Sequence, residues 1–138
     1  MKICTREFFE SAHRLVDYDE NCKRIHGHNF VVDVEVLSAP SDLTKTGFVM
    51  DFKDIKKLTK EFDHKLLLKE CKENRELFTE KMPKDWIVWL PFNPTCENMS
   101  LYFKQCLLKT INKESQKYMV TVKVYETYKP EKKSYAEA

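Results

Sequence analysis

The chain has 138 residues and a mass of 16.5 kDa, with 24 Lys and Arg against 22 Asp and Glu and a formal net charge of +2, an excess too small to imply nucleic acid. This length fits one domain, residues 1–138, large enough to bury roughly 68% of its unfolded surface, and with only Gly27 and Gly47 no glycine-rich dinucleotide or phosphate loop can be written. The strongest apolar run, Trp86 to Leu90, is too short for a bilayer, and charged Lys2, Arg6, Glu7 and Glu10 leave no room for a secretory signal, so a cytoplasmic location with no membrane partner is expected.

Residues 2–9 and 29–37 read as strands; in the second, Phe30, Val32, Val34 and Val36 share one face and Asp33 and Glu35 take the other. The polar stretch Val16 to Lys23 between them is expected to be loop. After Pro40, Asp42 to Gly47 read as a hairpin turn feeding a short strand, Phe48 to Met50, and Asp51 is placed to cap a helix. Phe52, Ile55, Leu58 and Phe62 recur at spacings of three and four, which predicts an amphipathic helix ending near Asp63 and His64. Lys69 to Asn93, interrupted by Pro83 and Pro91, reads as loop with one strand. A second helix is predicted over Glu97 to Asn112, with Thr95 or Asn98 near its start and a core stripe of Met99, Phe103, Cys106, Leu107 and Ile111. Met119 to Glu126 alternates as a strand, Lys129 to Lys133 reads as a solvated turn, and a last short strand falls near Tyr135. The order predicts an α+β domain with a four-stranded antiparallel sheet and two helices packed on one face. Two sheet edges then need cover, for which oligomerisation is a remedy.

All four histidines fall at predicted turns or strand ends. Side chains at i and i+2 of a strand point the same way, so His26 and His28 can reach one metal ion with Gly27 slim between them. If the first two strands pair, His13 adds a third nitrogen, and three neutral imidazoles with an open position make a catalytic rather than a closed zinc site. A lone His-x-His is as often a surface or core-satisfied pair; the third histidine and the nearby thiol favour the metal.

Cys4, Cys22, Cys71, Cys96 and Cys106 form an odd set with no Cys-x-x-Cys, which argues against a disulfide framework and a four-cysteine zinc knuckle. Cys22 has two readings: a fourth ligand closing a structural site in a non-catalytic binding module, or a free thiolate serving as base or nucleophile near the metal. Asp63 and His64 are either a tuned proton-transfer pair or a plain helix end facing water, and spacing alone favours the helix end. Glu126 is either an exposed strand end or a buried carboxylate able to accept two parallel hydrogen bonds from an amidine-like edge. Thr95 and Glu97 also fit as simple helix-start residues.

Six ordered blocks, Phe9 to Leu15 (FESAHRL), Cys22 to Phe30 (CKRIHGHNF), Gly47 to Phe52 (GFVMDF), Phe62 to His64 (FDH), Pro94 to Asn98 (PTCEN) and Val124 to Thr127 (VYET), resemble the 6-pyruvoyltetrahydropterin and 6-carboxytetrahydropterin synthase family over nearly the whole chain. The resemblance implies that His13, His26 and His28 bind Zn2+, that Cys22, Asp63 and His64 transfer protons, and that Glu126, with Thr95, Cys96 and Glu97, holds the pterin. It also implies a tunnel-type fold assembled as a homohexamer, a dimer of trimers with active sites between subunits, and 7,8-dihydroneopterin triphosphate as the small-molecule substrate. Only three residues separate Cys22 from His26, which looks like the carboxy-forming lyase branch of queuosine and 7-deazaguanine biosynthesis; the alternative is the pyruvoyl-forming branch, which eliminates triphosphate without cleaving the side chain. Cys96 stands where the family usually has a small hydroxyl or alanine.

Overall fold

The computed structural model describes residues 1–111, 118–127 and 134–138, so the Lys129 to Lys133 turn and the expected helix end at Asn112 lie outside the described residues. The strands are β1 (Lys2–His13), β2 (His26–Leu37), β3 (Lys65–Lys69), β4 (Ile87–Leu90), β5 (Met119–Glu126) and β6 (Tyr135–Glu137). The helices are α1 (Phe52–Lys60), α2 (Lys72–Phe78) and α3 (Cys96–Ile111). Among the described residues no helix is long and apolar enough to cross a membrane.

Among the described residues the sheet has six strands in the order β4-β3-β1-β2-β5-β6, and it is mixed: β1 pairs parallel with β3, and β3 parallel with β4. This corrects the expected four-stranded antiparallel sheet. The missing strand, β3, holds Leu66, Leu67 and Leu68, all buried, without alternation because both of its faces are covered. β4 is the single strand expected between Lys69 and Asn93, while α2 in the same stretch was not foreseen. Residues 48–50 join no sheet. Thr44, Gly47 and Phe48 close a tight turn that needs the left-handed backbone of Gly47, φ 82°, and Val49 and Met50 then drop into the core before Asp51 caps α1 by accepting from the Lys53 N–H at 2.9 Å.

β1 and β2 run further than expected and pair along their whole length, with Phe9 opposite Phe30 and His13 opposite His26. Their inner face carries Phe9, Phe30, Val32, Val34 and Val36, joined by Val120, Val122 and Val124 of β5. α1 and α3 cover this face with Ile55, Met99, Phe103 and Leu107, as expected of the two foreseen helices. Phe9 stacks on Phe30 at 5.0 Å, and Phe62 meets Phe103 edge-on at 5.0 Å. Each such ring contributes roughly 1.5–3 kcal/mol by burial. A smaller cluster on the other face packs Phe78 of α2 and Met82 against Leu66, Leu68 and Ile87.

Candidate metal centre and adjoining cavity

Strand alternation places His13, His26 and His28 on the same face as Phe9 and Phe30, at the end of the aromatic layer. The rings of His13 and His28 each lie 5.6 Å from that of Phe30. Every imidazole is anchored through Nδ1: His13 to the Pro94 carbonyl at 2.8 Å, His26 to the Arg24 carbonyl at 2.8 Å, and His28 to the Thr127 hydroxyl at 2.6 Å. A carbonyl oxygen only accepts, so the network assigns the Nδ1 proton to neutral His13 and His26 and turns their bare Nε2 atoms inward. Those two Nε2 atoms stand 3.0 Å apart.

Two lone pairs at that distance repel, and a cation between them removes the conflict. Among the described residues the buried Nε2 of His28 has no hydrogen-bond partner, and Glu126 Oε1 lies 3.2 Å from Nε2 of both His13 and His28. The three nitrogens and the carboxylate oxygen fall within 4.8 Å of one another, a group able to hold a metal ion. Three imidazoles and a carboxylate suit zinc, and imidazole also serves iron and nickel. Nδ1 anchors of this kind fix ligand tautomer and orientation.

Burial pushes the pKa of His28 below the ordinary imidazole value, against the opposing pull of Glu126. The adjoining His13 imidazole is foremost in holding the Glu126 carboxyl below its usual range, with His28 and His26 acting in the same direction against burial. A neutral His28 beside an ionised Glu126 is the form that binds a cation. Thr127, just after β5, has φ 53°, a left-handed backbone costly for a β-branched residue, on the order of 1–3 kcal/mol. That turn delivers its hydroxyl to His28.

A cavity of about 260 Å³ opens beside the cluster, lined by His13, Cys22, Thr95, Cys96, Glu97 and Glu126 among others. All the residues expected to hold substrate therefore meet Cys22 in one place. Cys22 sits on the short 3-10 turn Asn21–Lys23, and the fourth atom of the metal cluster is a Glu126 oxygen rather than its sulfur. Thr95, not Asn98, caps α3: its hydroxyl accepts from the Asn98 N–H at 3.3 Å and its carbonyl from Met99 at 2.9 Å. Burial, reinforced by Glu126 and Glu97, pushes the Cys96 thiol up to about 12, so it stays protonated and offers a neutral donor.

Asp63 and His64 lie elsewhere. The Asp63 carboxylate accepts from the Glu10 N–H at 2.9 Å and from His64 Nδ1 at 3.0 Å, and the Glu10 N–H foremost holds its pKa below the usual value. His64, at φ 57°, donates its own N–H to the Glu10 carbonyl at 2.7 Å. Its ring is 79% exposed on an open cleft of about 590 Å³, shared with Glu10, Ala12, Leu66 and Trp86. The pair is thus more than a loose helix end, yet one chain does not bring it into the cavity of Cys22. The Pro94, Arg24 and Thr127 anchors and the seat of Glu126 in the cluster go beyond what the sequence predicts; closeness in sequence signals only Arg24, beside His26, and Thr127, beside Glu126, and nothing marks Pro94.

Comparison with known proteins is consistent over the full length. The family model described as 6-pyruvoyl tetrahydropterin synthase matches residues 2–137. A 6-carboxy-5,6,7,8-tetrahydropterin synthase of Rickettsia bellii is 33% identical over 131 residues, covering 90% of this chain and 93% of the relative. The protein of the same name from Haemophilus influenzae is 25% identical over 137 residues, covering 91% and 92%. Among solved structures, the 6-pyruvoyl tetrahydropterin synthase of Plasmodium vivax superposes with a TM-score of 0.67 at 20% identity, covering 100% of this chain and 97% of the other. An uncharacterized Wolinella succinogenes protein gives 0.70 at 18%, covering 99% and 97%. At such identities the two structures speak for the fold alone.

Proposed function

The chain belongs to the 6-pyruvoyl tetrahydropterin synthase family, whose named relatives are enzymes, and on that premise we propose that it is a zinc-dependent 6-carboxytetrahydropterin synthase of 7-deazaguanine biosynthesis. The reaction takes 7,8-dihydroneopterin triphosphate and one water to 6-carboxytetrahydropterin, acetaldehyde and triphosphate. The observation that carries the reading is the cluster of three Nε2 atoms and a Glu126 oxygen beside a cavity whose lining includes His13, Glu126 and Cys22. The names of the relatives and the three-residue spacing from Cys22 to His26 favour the carboxy product over the pyruvoyl one.

His13, His26 and His28 would hold the metal, which when bound supplies Lewis-acid polarisation of side-chain oxygens on the substrate. The Cys22 thiolate takes a proton from the adjoining carbon. Glu126, kept ionised, accepts two N–H groups from the amino-pyrimidine edge, with Thr95, Cys96 and Glu97 lining the same pocket. His64, oriented through Nδ1 by Asp63, presents its exposed Nε2 as the returning acid. That group reaches the substrate from a neighbouring copy, because the reading includes a trimer closed through the β4 and β6 edges and stacked as a hexamer.

Replacement of Cys22 by alanine separates this reading from a structural metal module. The expected outcome is full metal content and unchanged thermal stability with triphosphate release lost; joint loss of metal and stability would make Cys22 a ligand and sink the reading.

A further inference from the structure

We propose that Arg14 is the positioning residue for Cys22, and that α2 exists in this fold to hold Arg14 in place; the inference rests on Cys22 acting as proposed above. Arg14 follows metal-cluster residue His13 directly, yet its side chain is only 6% exposed, an unusual place for a permanent charge. Each edge of its guanidinium is spoken for. Nε donates to the Lys23 carbonyl at 3.0 Å, one terminal nitrogen to Asn74 Oδ1 at 2.7 Å, and the other to Glu73 Oε1 at 2.6 Å.

The Asn74 contact has only one possible orientation. Asn74 is fully buried, and its Nδ2 donates to the Lys69 carbonyl at 2.7 Å, so its oxygen must face Arg14. On the other side, the Leu15 N–H donates to the Cys22 carbonyl at 2.9 Å. The carbonyls of Cys22 and Lys23 are therefore gripped by two consecutive residues, Leu15 through backbone and Arg14 through side chain. The next carbonyl along, that of Arg24, orients His26. One rigid fork thus fixes the turn bearing the thiol and the lead-in to a metal ligand together. The stretch from Lys69 to Asn93 carries no chemistry-bearing motif of its own, and this assigns its helix a role: Glu73 and Asn74 brace the site from outside the cavity.

A lysine keeps the charge at this position but loses the planar fork. In Arg14→Lys, site-resolved iodoacetamide labelling of the folded, metal-loaded protein should show Cys22 reacting about 10-fold faster, as the half-buried thiol is released, with distant, exposed Cys4 unchanged. Triphosphate release should lose about 10- to 100-fold in kcat with KM within about 2-fold, the signature of a misplaced reacting group. Glu73→Ala, at the half-exposed end of the network, keeps Asn74 in place and should move Cys22 labelling the same way by about 2- to 3-fold. It serves as the readout if Arg14→Lys does not fold. A Cys22-to-Cys4 labelling ratio unchanged in the folded variants would overturn the proposal. Labelling does not depend on turnover, so a wild-type protein that releases no triphosphate would fail the proposed function while the labelling ratio still decides the role of Arg14.

Discussion

The Nε2 atoms of His13 and His26 face each other at 3.0 Å while each ring is held from behind by a backbone carbonyl. Without a cation this is an uncomfortable contact, and metal should stabilise the fold by about 4 kcal/mol at a thousandfold excess over its dissociation constant. His26→Ala should abolish that increment yet leave the metal-free protein within about 1 kcal/mol of metal-free wild type, by denaturant midpoints. The metal-free protein should also be acid-sensitive in a defined window. His28 has a lowered folded pKa, so the unfolded chain takes up the proton first: stability is full above the ordinary value of 6.5, falls as pH drops below it, and levels off beneath the folded value. The depressed carboxyl of Glu126 adds its loss only below about 4.5. A midpoint flat from pH 8 to 5 would contradict this.

Glu126 Oε1 sits 3.2 Å from two imidazoles, yet its proposed work is to hold the pterin. Glu126→Gln should keep metal at wild-type stoichiometry while KM rises about 10- to 100-fold, the loss of charge-assisted bonds. Metal analysis beside steady-state kinetics checks it; a metal-free variant would make the carboxylate a ligand.

Cys96 should be among the slowest cysteines to alkylate. With its thiol pushed to about 12, the reactive thiolate is about one part in ten thousand at pH 8. Peptide-resolved labelling should leave it unmodified when Cys22 is complete, and Cys96→Ser should turn over within about 3-fold of wild type. Rapid labelling of Cys96 would contradict its assignment as a neutral donor.

Asp63 and His64 line a different cleft from Cys22 within one chain. If a neighbour supplies the pair, Cys22→Ala and His64→Ala should each be inactive alone but recover about one quarter of wild-type turnover when co-expressed in equal amounts, the share of sites that draw one intact group from each variant. No recovery would place the pair outside the shared site.

Much of the centre was legible in the sequence because it depends on strand period. His26-x-His28 with His13 on a partner strand converges by alternation alone, and the buried valines of β2 fix which face is inward. The anchors were not legible, since Pro94 and Thr127 reach the histidines across 81 and 99 residues of chain. β3 escaped because Leu66 to Leu68 is covered on both faces and has no period, and α2 because the one residue it fully buries is the polar Asn74. The bend at Thr127 depends on a left-handed φ that no glycine signals.

The most direct test is product analysis by mass spectrometry after incubating the metal-loaded protein with 7,8-dihydroneopterin triphosphate and an aldehyde trap. The expected products are triphosphate, trapped acetaldehyde and 6-carboxytetrahydropterin. A pyruvoyl product with no aldehyde would contradict the carboxy assignment, and unchanged substrate with metal bound would contradict the lyase itself.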